Sequence, residues 1–363
     1  MITEAKAPVA KGAAKPDHAA REAFYKEISE FHMGALWTVL HDAMTSEPVV
    51  QTVPHVWKWS DVRPRALRAA ELVTAEEAER RVLMLLNPAT SPKLGATATL
   101  FAGVQIILPG EIARTHHHTP AAIRFVIEGD RAYTAVNGEK SYMEKGDYLT
   151  TPNWSWHDHG NESDRPVLWL DGLDLPFILG IDAMFFEYYP ELKQPISKMA
   201  DDSILRYGSN LKPTWETPVG KGVYSPLLNY KWKTTRAALH QLRDESGSPF
   251  DGIIMEYTNP YTGGPTLPTM SAYLQLLRKG ERTKAHRHVS STIYHVAEGG
   301  GSSVIRGKRY DWEEGDTFVV PAWSAHEHAS VDGEAVLFST SDRPILKAFD
   351  LEREQALEQG HQS

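Results

Sequence analysis

The sequence contains no cysteine among its 363 residues. This absence excludes a disulfide framework, and it excludes a thiolate as nucleophile or as metal ligand. Any metal ion must therefore be held by nitrogen and oxygen donors. Because disulfide-stabilised proteins belong to oxidising compartments, the absence of cysteine also favours a location in the cytoplasm.

The sequence also lacks an excess of positive charge and long apolar runs. The formal net charge is −9, so the chain offers no basic face to a phosphate backbone and we expect no nucleic-acid partner. No apolar stretch approaches the length of a membrane span, and we expect no membrane association. Hydrophobic residues still make up 41 % of the chain, which supplies packed cores at a length that favours two domains.

The most informative pattern that the chain contains is a set of Gly, Pro and His positions that occurs twice, about 170 residues apart. The first copy consists of Gly110, His116, His118, Gly146, Pro152, His157 and Asn161. The second copy consists of Gly280, His286, His288, Gly315, Pro321, His326 and Ser330. A repeat of this length predicts a duplicated domain.

Short apolar runs separated by turn residues dominate the sequence from about residue 97 onward. One turn, Asn137-Gly138, is typical of a tight β-hairpin. Many short strands of this kind predict a mainly β fold built from an antiparallel sandwich or barrel. Helical periodicity occurs in a stretch from about Ala19, in a second one over roughly 64–86, where Thr74 begins a capping box, and over 235–243, at the corresponding place in the second half.

These patterns divide the chain into four parts. We predict a flexible tail over 1–17, an N-terminal domain with a helical lead-in over 18–175, connecting and packing arms over 176–232, and a C-terminal domain over 233–363. The aromatic segment 177–189 suggests a contact between domains or subunits. An ordered linker lying on its own domain explains it equally well.

The first copy of the pattern predicts a metal site. His116 and His118 alternate, so both project from one face of a strand, and His157 follows from a later strand. An isolated histidine is usually a satisfied surface or core residue, but three at these spacings indicate metal ligands. Three imidazoles leave coordination positions open, as a catalytic site requires, and they suit Fe, Zn, Cu or Ni.

The two histidine-bearing motifs resemble those of the cupin superfamily. Where many cupins have a glutamate ligand, this sequence has Ala122, so the site has three histidines. Over the segments 116–129, 133–138, 151–161 and 169–174, and at Glu79-Arg80-Arg81, the chain more specifically resembles gentisate 1,2-dioxygenases and their relatives that cleave salicylates or 1-hydroxy-2-naphthoate.

This resemblance implies a bicupin, with two antiparallel β-barrel (double-stranded β-helix, jelly-roll) domains and flanking helices. It implies that His116, His118 and His157 hold Fe(II), and that the subunits form a homotetramer. It further implies a small aromatic hydroxy acid as substrate, opened by O₂ between the carboxyl-bearing carbon and the adjacent hydroxyl-bearing carbon. Gentisate, giving maleylpyruvate, is the favoured substrate.

Three further residues are candidates for catalytic roles. Arg124 lies an even step beyond His118, on the same face, where its guanidinium suits a substrate carboxylate, although a surface salt bridge is the alternative. His159 shares its strand face with His157 and would hydrogen-bond the substrate or support the metal ligands. Asp171 would orient His159 or meet a ring substituent, unless it is an ordinary turn residue.

The remaining pocket candidates are less directly tied to the motifs. They are Arg80, Arg81, Phe101, Gln105 and Trp156. The pattern leaves open which of the two arginines faces the pocket, and it places His117 on the opposite face as a non-ligand. Phe101 stands where the family usually has Tyr or Trp, and Pro120 where it has Gln, so both bear on the preference for ring substituents.

Two alternative functions remain, and metal binding by the second copy stays open. The same chemistry would suit salicylate, a 5-substituted salicylate or 1-hydroxy-2-naphthoate. A non-catalytic bicupin binding protein is more remote, because the histidine triad and Arg124 are both present. In the second copy His286, His288 and His326 keep the ligand spacing, but His295 or a neighbour takes the place of Arg124, so we predict a non-catalytic domain in which metal binding stays open.

Overall fold

A computed structural model describes residues 17–89, 94–209, 211–215 and 223–362. The chain divides into one unit over 1–49 and another over 50–363. The predicted tail 1–17 lies outside the described residues except for Asp17, whose side chain accepts a hydrogen bond from Ala19 N and caps the first helix. The first unit consists of α1 (His18–Glu30) and α2 (Leu36–Ala43), which confirms the helix predicted from Ala19.

The second unit is mainly β and contains two barrels of antiparallel strands. It begins with β1 (His55–Trp57), α3 (Trp59–Leu72) and α4 (Ala75–Ala78). The first barrel comprises β2 (Val82–Met84), β3 (Phe101–Ile107), β4 (Ile112–His118), β5 (Ala122–Glu128), β6 (Asp130–Val136), β7 (Glu139–Glu144), β8 (Tyr148–Thr151), β9 (His157–Asn161) and β10 (Val167–Leu173). The connecting segment carries α5 (Leu175–Gly180), β11 (Phe186–Tyr188), α6 (Asp202–Tyr207), β12 (Asn229–Tyr230) and α7 (Trp232–Gln241).

The second barrel repeats the first. It comprises β13 (Ile253–Glu256), β14 (Ser271–Leu277), β15 (His286–His288), β16 (Thr292–Glu298), β17 (Gly300–Ile305), β18 (Lys308–Glu313), β19 (Thr317–Val320), β20 (His326–Ser330), β21 (Ala335–Ser341), α8 (Arg343–Ala348) and β22 (Glu354–Ala356). Each barrel pairs a six-stranded sheet with a five-stranded one, in the orders β12-β8-β5-β10-β3-β2 and β11-β4-β9-β6-β7 for the first barrel. The predicted fold of two antiparallel β-barrels with flanking helices is confirmed.

Alternation along β5 explains how one strand serves both the core and the site. Phe125 points out of the barrel and stacks on Phe338 of β21, with ring centroids 4.3 Å apart, in the apolar layer between the two barrels. Arg124, its neighbour, points into the barrel interior. Because successive strand residues face opposite sides, the apolar run that packs the barrels together also fixes Arg124 inside one of them.

The predicted hairpin is confirmed at the end of β6. Val136 pairs with Glu139, and both Asn137 (φ 45°) and Gly138 (φ 81°) have positive φ. This is the conformation of a two-residue type I′ turn, which Asn-Gly adopts with little strain.

Each barrel receives an edge strand from the lead-in of the other. β1 pairs with β19 of the second barrel, and β12 pairs with β8 of the first. An equivalent lysine–aspartate ion pair anchors each connection. Lys58 Nζ lies 2.6 Å from Asp316 Oδ2, and Lys231 Nζ lies 2.7 Å from Asp147 Oδ2. The two lead-ins are therefore exchanged between the barrels.

The helix predicted over roughly 64–86 is wrong beyond Ala78. α3 ends at Leu72, Thr74 then accepts a hydrogen bond from Glu77 N as the capping box predicts, and α4 lasts for four residues. The chain next enters β2, which pairs with β3, because a place in the sheet outweighs local helix propensity. In the connecting segment β11 pairs with β4 of the first barrel, and its role as a subunit contact stays a prediction. No helix in the described residues is long and apolar enough to cross a membrane.

Candidate metal centre

Three imidazoles converge inside the first barrel. His116 of β4 lies directly opposite His157 of β9, and their Nε2 atoms are 3.1 Å apart. His118 completes the group, and one ligand atom from each of the three residues lies within 4.8 Å of the others. The structure thus brings the three predicted ligands together.

Hydrogen bonds behind the rings determine which nitrogens face the centre. His118 Nδ1 lies 2.8 Å from Pro120 O, and His157 Nδ1 lies 2.9 Å from Ser155 O. A carbonyl oxygen only accepts, so each Nδ1 carries the proton and each Nε2 presents a lone pair to the centre. Burial lowers the pKa of all three imidazoles, that of His118 to about 4, so they are neutral at pH 7. Neutral, preoriented imidazoles fit a divalent transition-metal ion.

Arg124 and Asp171 face the same interior from adjacent strands. They are directly opposite in the β5–β10 pair, and Arg124 Nε lies 3.5 Å from Asp171 Oδ1. Arg124 Nη1 donates to Thr151 Oγ1 at 2.6 Å, and Trp169 Nε1 donates to Asp171 Oδ1 at 3.0 Å. Burial raises the pKa of Asp171 to about 6 even though Arg124 opposes this shift, so its carboxylate is ionised at pH 7.

His159 is oriented by a residue that the sequence analysis missed. Thr134 of β6 is opposite His159 in the β6–β9 register, and its hydroxyl lies 3.0 Å from His159 Nδ1. Thr134 therefore holds the place that we predicted for Asp171. His159 Nε2 is buried and has no hydrogen-bond partner among the described residues, so it remains available to a bound molecule.

The structure separates the two candidate arginines. Arg80 Nη2 lies 3.5 Å from His157 O. Burial is the main cause that lowers the pKa of His116, and the positive charges of Arg80 and Arg124 lower it further. Arg81 instead donates to Ala70 O and Val73 O and pairs with Glu111. The prediction of Arg81 as a pocket residue is therefore wrong, because neighbours in an extended segment point to opposite sides. Burial lowers the pKa of Arg80 to about 10, so it stays charged at pH 7.

Trp156 is also wrongly predicted as a pocket residue. Its ring stacks on His117 at 3.6 Å and 9°, on the outer face of the strand, while Trp154 covers the other side of the same imidazole. His117 Nε2 lies 3.0 Å from Glu187 Oε2, which agrees with its prediction as a non-ligand. Trp156 precedes His157 by one residue, so it points away from the centre when His157 points toward it.

Phe101 and Gln105 lie on the interior face of β3. They are opposite Leu173 and Trp169 of β10, which places them on the same side of the sheet as Asp171. Gly103 lies between them, and Val82 packs against it so closely that an added Cβ would lie 2.5 Å from Val82 Cγ1. These positions can contact a molecule bound at the triad.

Phe186 of β11 is another site residue without a signal in the sequence. Its ring lies 4.9 Å from that of His116, and β11 runs along the outer edge of β4. Neither periodicity nor a motif indicates that this three-residue strand returns to the histidines, because its pairing partner is about 70 residues away.

The second barrel contains a similar triad in different surroundings. His286 Nε2 and His326 Nε2 are 3.0 Å apart, and His288 completes the group. Its register places Tyr294 opposite Ser339, where the first barrel has Arg124 opposite Asp171. His295 is therefore not the counterpart of Arg124; it points out of the barrel, and its ring lies 5.5 Å from that of Phe125.

Known proteins resemble this chain over nearly all of its length. Residues 103–173 and 273–340 match the cupin domain model. A gentisate 1,2-dioxygenase of Aquipseudomonas alcaligenes is 41 % identical over 92 % of this chain and 96 % of its own, and a 5-aminosalicylate 1,2-dioxygenase of a Comamonas species is 39 % identical over 92 % and 90 %. The crystal structure of a salicylate 1,2-dioxygenase from Pseudoaminobacter salicylatoxidans with gentisate superposes with a TM-score of 0.88, at 34 % identity over 96 % of this chain and 97 % of that one.

Proposed function

Because the chain belongs to the gentisate 1,2-dioxygenase family, we propose that it opens the ring of a 2-hydroxybenzoate with O₂ at an Fe(II) ion held by His116, His118 and His157. The favoured substrate is gentisate, cleaved between the carboxyl-bearing carbon and the adjacent hydroxyl-bearing carbon to give maleylpyruvate. The observation that carries this proposal is the pair of positively charged side chains, Arg80 and Arg124, beside three neutral imidazoles.

The three histidines leave coordination positions open for exogenous ligands. When bound there, Fe(II) supplies the redox chemistry by which both oxygen atoms of O₂ enter the ring-opened product. The protein contributes the position and charge of the substrate. A 2-hydroxybenzoate has a carboxylate oxygen and an ortho-hydroxyl oxygen that can both reach one ion. Binding through both oxygens would fix the reacting carbons relative to the three histidines.

Arg124 is suited to hold the substrate carboxylate. Its guanidinium is buried, donates a hydrogen bond from Nη1 to Thr151, and forms an ion pair with Asp171. Together with Arg80 it brings two buried positive charges to the site, where Asp171, Asp158 and Glu79 also act on Arg80, and the two guanidinium groups are suited to anionic oxygens, including an ionised phenolic oxygen. Asp171 thus acts on the substrate through Arg124.

His159 offers Nε2 to a substrate oxygen. The Thr134 hydroxyl fixes the ring by its other nitrogen, and burial holds the pKa of His159 well below its usual value, so it acts as a neutral hydrogen-bonding group. Phe101 and Gln105 would border the substrate ring from β3.

Salicylate and 5-substituted salicylates form the second candidate substrate class. The observation that favours them is Phe101, which lies on the interior face and carries no group that can hydrogen-bond a ring hydroxyl. 1-Hydroxy-2-naphthoate has the same carboxylate and ortho-hydroxyl pair.

Oxygen uptake by the Fe(II)-loaded protein on gentisate, salicylate, 5-substituted salicylates and 1-hydroxy-2-naphthoate tests the proposal. We expect uptake to be fastest with gentisate, to vanish in His157→Ala, and to persist in His117→Gln, whose imidazole faces away from the centre. A folded, iron-loaded protein that is inert toward the whole panel would contradict the proposed function.

We also propose residues 18–175 as the catalytic domain, residues 233–363 as the non-catalytic domain and residues 176–232 as their connection, in a homotetramer. The partners are the aromatic hydroxy acid and O₂. A binding protein without catalysis is disfavoured by the buried arginine beside the first triad.

A further inference from the structure

We propose that the second barrel binds a divalent transition-metal ion of its own through His286, His288 and His326, with the Asp251 carboxylate as a fourth donor. The ion would have a structural role, in contrast to the ion of the first barrel. This inference does not depend on which reaction the first barrel catalyses.

The three imidazoles are fixed as acceptors toward one point. His286 Nδ1 lies 3.0 Å from Glu354 Oε1, His288 Nδ1 lies 2.8 Å from Ser290 O, and His326 Nδ1 lies 2.9 Å from Ser324 O. Since carboxylate and carbonyl oxygens only accept, all three Nδ1 atoms carry protons and all three Nε2 atoms present lone pairs. Two of these lone pairs face each other across 3.0 Å, an arrangement that a cation between them stabilises.

A carboxylate stands beside the His286 imidazole in the second barrel. Asp251 Oδ1 lies 3.8 Å from His286 Nε2, and Ser248 Oγ donates to Asp251 Oδ2 at 2.9 Å. The first barrel has a different arrangement. Val82 pairs with Gln105 in the first barrel, and Ile254 pairs with Gln275 at the equivalent place in the second. Glu79 and Asp251 each lie three residues before these positions, so they are counterparts. Glu79 instead accepts a hydrogen bond from Tyr188 Oη at 2.5 Å.

The charge around the second triad is also of the opposite sign. Gly252 and Tyr294 occupy the register positions of Arg80 and Arg124. Asp251, Glu256 and Glu354 line the small cavity at the triad, about 220 Å³ in volume. Arg343 lines it as well, but Glu352 and Glu354 pair with its guanidinium. Without an anionic substrate, a dication is therefore more favourable in the second barrel than in the first.

The outer edge strand of the second barrel supports its triad better than the outer edge strand of the first barrel does. β22 pairs with β15 as β11 pairs with β4, and this register places Glu354 opposite His288 and Phe186 opposite His118. Glu354 accepts from His286 Nδ1, an arrangement that is typical of metal-ligating histidines. Phe186 has no acceptor to offer, and His116 Nδ1 is buried without a hydrogen-bond partner in the described residues.

The donor set indicates which ions the second site can bind, and the cavity indicates the role of the bound ion. Imidazole and carboxylate together suit Fe(II), Mn(II), Co(II) or Zn(II). Tyr273 stands where the first barrel has Gly103, and Tyr294 stands where it has Arg124, so two tyrosines line the cavity beside the second triad. Four protein donors and a cavity of only about 220 Å³ make the second ion a structural one.

Titration of the metal-free full-length protein with Co(II) alone, followed by calorimetry and by the visible absorption of the bound ion, tests the proposal. We expect two ions per chain in the wild type and one in each of the matched variants His157→Gln and His326→Gln. After Fe(II) loading, only His157→Gln should lose oxygen uptake. Asp251→Asn should weaken the second ion about tenfold, whereas Glu79→Gln should leave both ions unchanged.

One ion per chain in the wild type, lost in His157→Gln and retained in His326→Gln, would overturn the proposal. Asp251→Asn provides the same test if His326→Gln does not fold, because unchanged Co(II) affinity in that variant would exclude the carboxylate as a donor. The readout is metal binding, so failure of the second site is distinguishable from failure of the proposed reaction, which would appear as two bound ions without oxygen uptake.

Discussion

Charge and hydrogen-bond geometry at single residues distinguish the two triads more clearly than the histidines themselves. In the first barrel a buried arginine faces the interior beside an aspartate, and in the second a tyrosine faces a serine at the same register. The first site therefore attracts an anion, while the second attracts a cation. This difference supports the proposal that the substrate binds in the first barrel.

Arg124→Lys tests the proposed carboxylate contact. Lysine keeps the charge but loses the planar pair of donors, so we expect kcat/KM to fall about tenfold to a hundredfold, mainly through KM, with metal content unchanged. Steady-state oxygen uptake and elemental analysis measure both quantities. Arg81→Lys is the control, since Arg81 pairs with Glu111 away from the centre. An equal loss in both variants would argue against a substrate contact.

Thr134→Val tests whether Thr134 positions His159. Valine keeps the shape but leaves His159 Nδ1 without its hydroxyl partner, so we expect kcat to fall about tenfold with little change in KM. The matched control is Ser303→Ala, because Ser303 Oγ lies 2.7 Å from His328 Nδ1 in the second barrel. The assignment fails if the rate is unchanged in Thr134→Val or falls equally in the control.

The residue pattern predicted the metal ligands but not all of their neighbours. Alternation along a strand is enough to place His116 and His118 on one face, and it also sends Trp156 to the other. Trp156 and Arg81 lie next to His157 and Arg80 in the sequence, but nearness in sequence does not determine the direction of a side chain. Thr134 was missed because its partner is known only from the β6–β9 register.

At the scale of elements, the site depends on a short strand from outside the barrel motif. β11 covers the edge of β4 and carries Phe186 to the His116 ring, whereas β22 brings Glu354 to the equivalent place. The strands of the barrel follow from alternating apolar runs and turn residues. The covering strands do not, because three residues carry too little pattern and their partners are distant in sequence.

Phe186→Ala tests the contribution of this covering strand. The change removes the ring beside His116 and exposes its imidazole to water, so we expect the Fe(II) dissociation constant to rise severalfold, to about tenfold. Metal titration monitored by recovery of oxygen uptake measures it. Phe185→Ala is the control, because the Phe185 side chain is well exposed and lies 6.2 Å from Trp154. Equal affinity in Phe186→Ala and wild type would show that β11 does not support the metal centre.

At the scale of the whole molecule, exchange of the lead-ins links the two barrels into one folding unit. Asp316 is fully buried and accepts from Lys58 Nζ and from Trp59 N, and Asp147 does the same for Lys231 and Trp232. The sequence repeat predicted two similar domains. It did not predict that each completes the sheet of the other, because nothing local distinguishes pairing within a barrel from pairing across the repeat.

Asp316→Ala tests this linkage. It leaves Trp59 N and Glu313 N without their acceptor and Lys58 without its partner, so we expect a loss of about 2–4 kcal/mol, at the lower end if solvent screens Lys58. Urea unfolding should remain a single transition with a lower midpoint. Asp311→Ala, an exposed residue paired with Arg309, should change stability little. Two separate transitions in the wild type would contradict a single folding unit.

We propose that the first barrel is an iron-dependent centre that opens a 2-hydroxybenzoate ring with dioxygen. The most direct measurement is the ratio of O₂ consumed to gentisate ring opened by the Fe(II)-loaded wild-type protein. We expect one O₂ to be consumed per ring opened, with no activity before iron is added. Oxygen consumption without ring opening, or no consumption by a folded and iron-loaded protein, would contradict it.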